Sequence, residues 1–257
     1  MKKLTALFII LALIITGCAS PQQKKKSLTK DQIIARMQKN IKATESITLS
    51  ADNKTTISYD KFTTKFTQNT QSEYDTVNKS ALMITADSNN TKYPVKSVIF
   101  NMDNGNIEAY PEPAYLNYRA RNADIQYFSG IQSNMVNLTD IVQNIIKKTI
   151  DDIEVKDNIL HYEGKSQNLK NLFDYGSDFS SMNQIETFNQ LTDIKIAKGE
   201  YDITLSPEKK LPQLLNFDLK VSAKIKNKPV TILMHQETNY KHFNKTNVKP
   251  FEEEDIE

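Results

Sequence analysis

Apolar positions along the chain fall into three textures. Leu4 to Ile15 is an almost unbroken apolar run of twelve residues behind Lys2 and Lys3. A bilayer span needs about 20 such residues, so the run has the length of a signal-peptide core rather than of a permanent helix. The second texture has helical spacing. Ile33, Ile34, Met37 and Ile41 share one face, and Thr29-Lys30-Asp31-Gln32 before them fits a capping box, which predicts a helix over about Lys30–Thr44. Leu138, Ile141, Val142, Ile145, Ile146 and Ile150 predict a second helix over about Leu138–Ile150, with Asn137 as its cap. Shorter helices are expected over Leu169–Phe173 and Met182–Ile185.

The third texture is alternation, the mark of strands with one buried and one wet face. Between Ser46 and about Phe128 it shows in Ile47/Leu49, Thr56/Ser58, Phe62/Thr64/Phe66, Leu82/Ile84 and Val98/Phe100/Met102. Asn104-Gly105 lies between Val98–Met102 and Ile107–Tyr110, a hairpin signal because a type I′ turn needs positive φ at both central residues. A meander of four to six strands follows from this. Ile153–Val155 and Ile159–Tyr162 predict two short strands around Asp157-Asn158. Ile194–Leu205, Leu215–Ile225 and Val230–Thr238 predict three more, with Pro207 and Pro212 bracketing one loop and Asn227-Lys228 in the next turn. Helix, strands, helices, strands is an α+β order with an antiparallel sheet.

The apolar leader ends at Ile15-Thr16-Gly17-Cys18. Small residues before the chain's single Cys resemble the bacterial lipobox, in which the Cys receives a diacylglyceryl thioether and the peptide is cut before it. Residues 1–17 then form a lipoprotein signal peptide, 18–27 a polar tether, 28–251 one α+β domain and 252–257 an acidic tail. Cys18 is the expected lipid attachment point, and the expected location is the extracellular face of the cell membrane. Lys24, Lys25 and Lys26 lie in the tether, where they suit either anionic headgroups or open solvent. Losing Lys2 and Lys3 leaves 31 basic against 31 acidic residues, a mature chain of no net charge.

Composition removes function classes. One Cys permits no intrachain disulfide and no cysteine-rich zinc site. Six glycines, none in a phosphate-binding spacing, leave no nucleotide loop, and near-zero charge argues against nucleic acid as a partner. His161, His235 and His242 have no zinc-site spacing, and no HExxH or G-x-S-x-G occurs. No cofactor, metal or catalytic residue is expected. A transporter's solute-binding component would show βαβ units with Gly-rich turns, and these are missing from the pattern.

The order of lipobox, polar tether, capped helix, long strands, mid-chain helices and closing strands resembles the extracellular lipoproteins built like LolA-type and LppX/LprG-type lipid carriers. The opening Thr29-Lys30-Asp31-Gln32-Ile33-Ile34 and the closing Asn247-Val248-Lys249-Pro250 look like those of an uncharacterised Gram-positive lipoprotein family. The resemblance implies a curved antiparallel half-barrel with helices on its concave face and acyl chains held between them. Met37, Ile41, Leu138, Val142 and Ile146 then either line such a gap or pack into a solid core, and amphipathic helices ordinarily do the second. Tyr110, Tyr115 and Tyr118, set among Pro111 and Pro113, form either a ligand or partner rim or a loop over the sheet edge. The expected function is non-catalytic binding of a hydrophobic ligand, such as a lipid or a lipoprotein acyl chain, or of an envelope partner. The alternative is a structural or interaction lipoprotein with a filled core.

Overall fold

The computed structural model describes residues 28–78, 80–87, 95–101, 107–110, 138–164, 167–178 and 187–248. Helix α1 (Lys30–Lys42) leads into strands β1 (Ser46–Tyr59), β2 (Phe62–Asp75), β3 (Ser80–Asp87), β4 (Val95–Asn101) and β5 (Ile107–Tyr110). Helix α2 (Leu138–Thr149), strands β6 (Glu154–Lys156) and β7 (Ile159–Gly164), and helix α3 (Lys170–Asp178) follow. Strands β8 (Thr192–Leu205), β9 (Pro212–Ile225) and β10 (Lys228–Lys241) close the chain. The ten strands form one antiparallel, curved and open sheet in the order β5-β4-β3-β2-β1-β10-β9-β8-β7-β6.

Two meanders are therefore joined at the middle of the sheet, where β1 meets β10 across nearly 200 residues of sequence. Leu49 stands opposite Tyr240 and Ile57 opposite Ile232. Five strands have 14 residues each, about 46 Å at the usual rise. Alternation is regular in β9, where Leu215, Phe217, Leu219, Val221, Ala223 and Ile225 face inward. The same face of β10 carries Val230, Ile232 and Met234, and that of β8 carries Tyr201, Ile203 and Leu205.

The helices cover this inward, concave face. The capping box at α1 is formed: Gln32 N–H donates to Thr29 Oγ1 at 3.3 Å, and Thr29 N–H to Gln32 Oε1 at 3.1 Å. Lys30 Nζ reaches across to the carbonyls of Ile150 at 2.8 Å and Ile153 at 3.2 Å, and so ties the start of α1 to the negative end of α2. Thr149 Oγ1 meets Tyr201 OH at 2.6 Å and fixes the last turn of α2 to β8. Helix α3 lies close on the sheet because residue 176 is glycine. A Cβ there would collide with Met234 Sδ and stand 3.0 Å from Phe217 Cζ.

Several sequence expectations change in detail. Pro212 opens β9 instead of ending a loop, since a strand's first residue needs no ladder donor. The turn before β10 is Lys226-Asn227, both with positive φ, so Lys228 already belongs to the strand. The short helix expected over Leu169–Phe173 is instead a 3₁₀ turn at Gln167–Leu169 followed by α3, which runs to Asp178. Phe62 and Thr64, counted as one side of a half-buried strand, are exposed. β3 pairs with β2 from Gln68 onward, and the hairpin residues before it stand clear of that partner. Strands β4 and β5 pair as expected, with Phe100 opposite Ile107, while the Asn104-Gly105 turn lies outside the described residues, as does Met182–Ile185.

Three inward tyrosines give the fold a pH limit. Burial pushes the Tyr74 phenol up to about 12, and burial likewise raises Tyr201 and Tyr240. Raised folded-state values mean that stability is intact below the unfolded phenol near 10 and falls as pH rises beyond it, by about 1.4 kcal/mol per pH unit per tyrosine. Urea midpoints should hold up to pH 10 and drop steeply between pH 10 and 12. Phenolate absorbance of these rings should appear only with unfolding. Ionisation of all tyrosines near pH 10 in a still-folded chain would contradict the burial argument.

Candidate functional site

The face of the sheet that the helices cover is the candidate site, and its floor is divided. Under α1, α2 and α3 it is apolar, formed by Leu160, Tyr162, Tyr201, Phe217, Leu219 and Met234, all at most 3% exposed. Tyr162 and Tyr201 stack with ring centroids 5.5 Å apart. Toward β1 and β2 the inward residues turn polar while staying buried: Asn53, Thr55, Gln68, Thr70, Ser72, Gln236 and Thr238. Strand register sets Gln236, Asn53 and Gln68 side by side across β10, β1 and β2.

Buried polar groups are normally hydrogen-bonded, and most of this row obeys. Asn53 Nδ2 donates to Gln236 Oε1 at 2.9 Å and to the carbonyl of Gly176 at 3.0 Å. Thr55 Oγ1 donates to Asn53 Oδ1 at 2.8 Å, and Gln236 Nε2 to Thr238 Oγ1 at 3.0 Å. Gln68 Oε1 and Ser72 Oγ are buried and accept no hydrogen bond from a described residue. The row is neutral, so it can pair with hydroxyl, ester or amide groups without desolvating a charge.

The sequence reading missed this row. The available signal was the stretch Ser50-Ala-Asp-Asn-Lys-Thr-Thr56, where polar residues occupy both parities and the alternation of β1 dissolves.

Of the residues singled out from sequence, Met37, Ile41, Val142 and Ile146 come together. They lie on facing sides of α1 and α2, all within the core and at most 3% exposed. The free space beside Ile41 and Val142 is about 10 Å³. Leu138 is the first residue of α2 and Tyr110 the last of β5. Cys18, Tyr115 and Tyr118 lie outside the described residues.

The outer face of the sheet carries a shallow depression of about 340 Å³, where register sets Lys54, His235, Asp218 and Glu200 in one cross-strand row and Lys220 and Lys198 in the next. Part of its charge is paired. Lys198 meets Glu163 at 2.8 Å, and that contact holds the Glu163 carboxyl below its usual range and the Lys198 ammonium above its own. His235 Nδ1 lies 3.1 Å from Asp218, and His161 Nδ1 lies 2.8 Å from Asp202. His242 is beside Thr48 at 3.3 Å. No group of three metal-ligating side chains occurs among the described residues.

No protein-family profile matches the sequence, and no curated protein matches it. Among solved structures, the chain is similar to lipovitellin, in a structure titled for its lipid–protein interactions, at 9% identity and a TM-score of 0.31. That match covers 80% of this chain but 26% of the other, so the chain spans about a quarter of lipovitellin. It is also similar to a DUF1329 family protein from Desulfovibrio piger, at 10% identity and a TM-score of 0.19 over 89% of this chain and 98% of that one. A Vibrio parahaemolyticus domain ascribed to outer membrane lipoprotein sorting is similar at 8% identity and a TM-score of 0.20, over 86% and 94%. Likeness at these values carries no argument about descent or activity. The curved antiparallel fold rests on the strand pairing itself, and the functional reading on the chemistry of the concave face.

Proposed function

We propose that this chain is a lipoprotein anchored through Cys18 to the extracellular face of the cell membrane, and that it acts without catalysis by binding a hydrophobic ligand between its sheet and its helices. The observation that carries the reading is the divided floor of the concave face. An apolar half suits an acyl chain, and the adjoining neutral polar row suits the ester or hydroxyl groups that a lipid carries next to it. The helices that would have to lift are held to the sheet largely by side-chain packing, with a few polar ties such as Asn53 to Gly176 and Thr149 to Tyr201.

A second reading is favoured by one specific observation. The packing around Ile41 and Val142 leaves about 10 Å³, room for one water molecule at most and far too little for an acyl chain. A filled core of that kind suits a lipoprotein that works through its surface on an envelope partner. Mass spectrometry of an organic extract of the native protein separates the two. The covalent anchor stays with the polypeptide, so any lipid in the extract was held non-covalently. The carrier reading expects a lipid at near one per chain. An extract with none leaves the interaction reading standing.

A further inference from the structure

At one end of the sheet the turns of two hairpins meet. Tyr59 pairs with Phe62 to close β1–β2 and also lies opposite Val230 of β10, while Lys228 pairs with Ile225 to close β9–β10. The start of β8 joins them through Thr192 opposite Lys224. We propose that this end is a second membrane-contact surface, one that seats on a bilayer bearing anionic headgroups with the Phe62 ring entering the interface. The inference goes beyond the acyl anchor and depends on that reading only for bringing the bilayer near.

Two independent features coincide there. Phe62 is 74% exposed, more than any other large hydrophobic side chain among the described residues. Single exposed apolar residues are ordinary, so exposure alone argues nothing. Around it, however, the segments 58–64, 192–195 and 222–231 hold five lysines, Lys61, Lys195, Lys224, Lys226 and Lys228, against two acids, Asp60 and Asp193. Lys224 is paired to Asp193 at 2.8 Å, and Lys228 lies 3.9 Å from Asp60 and 5.9 Å from the centre of the Tyr59 ring. Lys61, Lys195 and Lys226 make no ion pair with a described residue and are exposed.

The chemistry complements an anionic surface. Lysine stems can lie along the interface while their ammonium groups stay among headgroups, and an aromatic ring is stable at that depth. The tight turns add rigidity, with Asp60, Lys226 and Asn227 all in the left-handed region, so ring and cations are presented together.

The chain contains no tryptophan, so Phe62→Trp introduces a single indole reporter. The full-length protein is placed on vesicles of phosphatidylglycerol or of phosphatidylcholine, some with brominated acyl chains. In phosphatidylglycerol the emission should shift to the blue and be quenched by bromine, and in phosphatidylcholine it should stay as in solvent. Adding Lys61→Glu and Lys226→Glu should abolish the shift. Raising salt to 1 M, which cuts the Debye length from about 8 to about 3 Å, should weaken it. Val77→Trp, at an exposed turn on the opposite end of the β1–β2 hairpin, should remain solvent-like.

An unshifted indole on phosphatidylglycerol, an equal shift on both lipids, or an equal shift from Val77→Trp overturns the proposal. Failure of the anchor is seen separately, as an unmodified Cys18 in the mass spectrum. In that case the same emission is read with the unanchored chain added to the vesicles.

Discussion

Cys18→Ala is expected to abolish lipid attachment, leaving either a precursor uncut after Gly17 or a chain free of the membrane. The size of the effect follows from the acyl chains. Each buried CH₂ contributes about 0.8 kcal/mol, so two chains outweigh every other contact available near the tether. Lys24, Lys25 and Lys26 together add about 3 kcal/mol at best on an anionic surface, too little to hold the protein alone. Replacing those three lysines should therefore leave most of the protein in the membrane fraction, whereas Cys18→Ala should not leave a processed, membrane-bound chain. The measurements are fractionation and the intact mass of the amino-terminal peptide. Normal cleavage and normal retention of Cys18→Ala would refute the lipobox reading.

The buried row on the concave face supplies the second large effect. Asn53→Leu removes the donor to Gln236 Oε1 and to the Gly176 carbonyl, and the acceptor for Thr55. Leaving a buried polar group unsatisfied costs about 1–3 kcal/mol, and at least two are orphaned, so a loss of about 3 kcal/mol or more is expected. The Gly176 bond also locates α3, so the loss should be accompanied by faster amide exchange in that helix. Gln68→Leu, one strand away in the same row, removes an oxygen that accepts nothing from a described residue, and should be neutral or slightly stabilising. The two midpoints of chemical denaturation are the test. Equal losses would mean that Gln68 is tied as firmly as Asn53. If the row meets the polar part of a lipid, Gln68→Leu should nonetheless reduce the lipid recovered by extraction.

Local signals were legible because they depend on residues close in sequence. The cap at Thr29, the apolar face of α1, the turn at Asp157-Asn158 and the inward residues of β9 each follow from steric or hydrogen-bonding rules spanning a few positions. So do the strand and helix order and the antiparallel class. The pairing of β1 with β10 had no local signature, because it joins residues nearly 200 positions apart and is selected by the closure of one sheet. The polar row was hidden for the same reason. Asn53, Gln68 and Gln236 read as surface residues of three separate strands until register places them side by side, facing inward. The apolar stripe of α1 and α2 announced burial but not what lies against it, since a helix face looks the same over a solid core as over a gap. Sequence alone thus determined the elements, the candidate anchor and the excluded chemistries, all set by neighbours along the chain. Which residues share the concave face, where its floor turns polar, and which turns gather Phe62 with the lysines were decided only when the strands came into register.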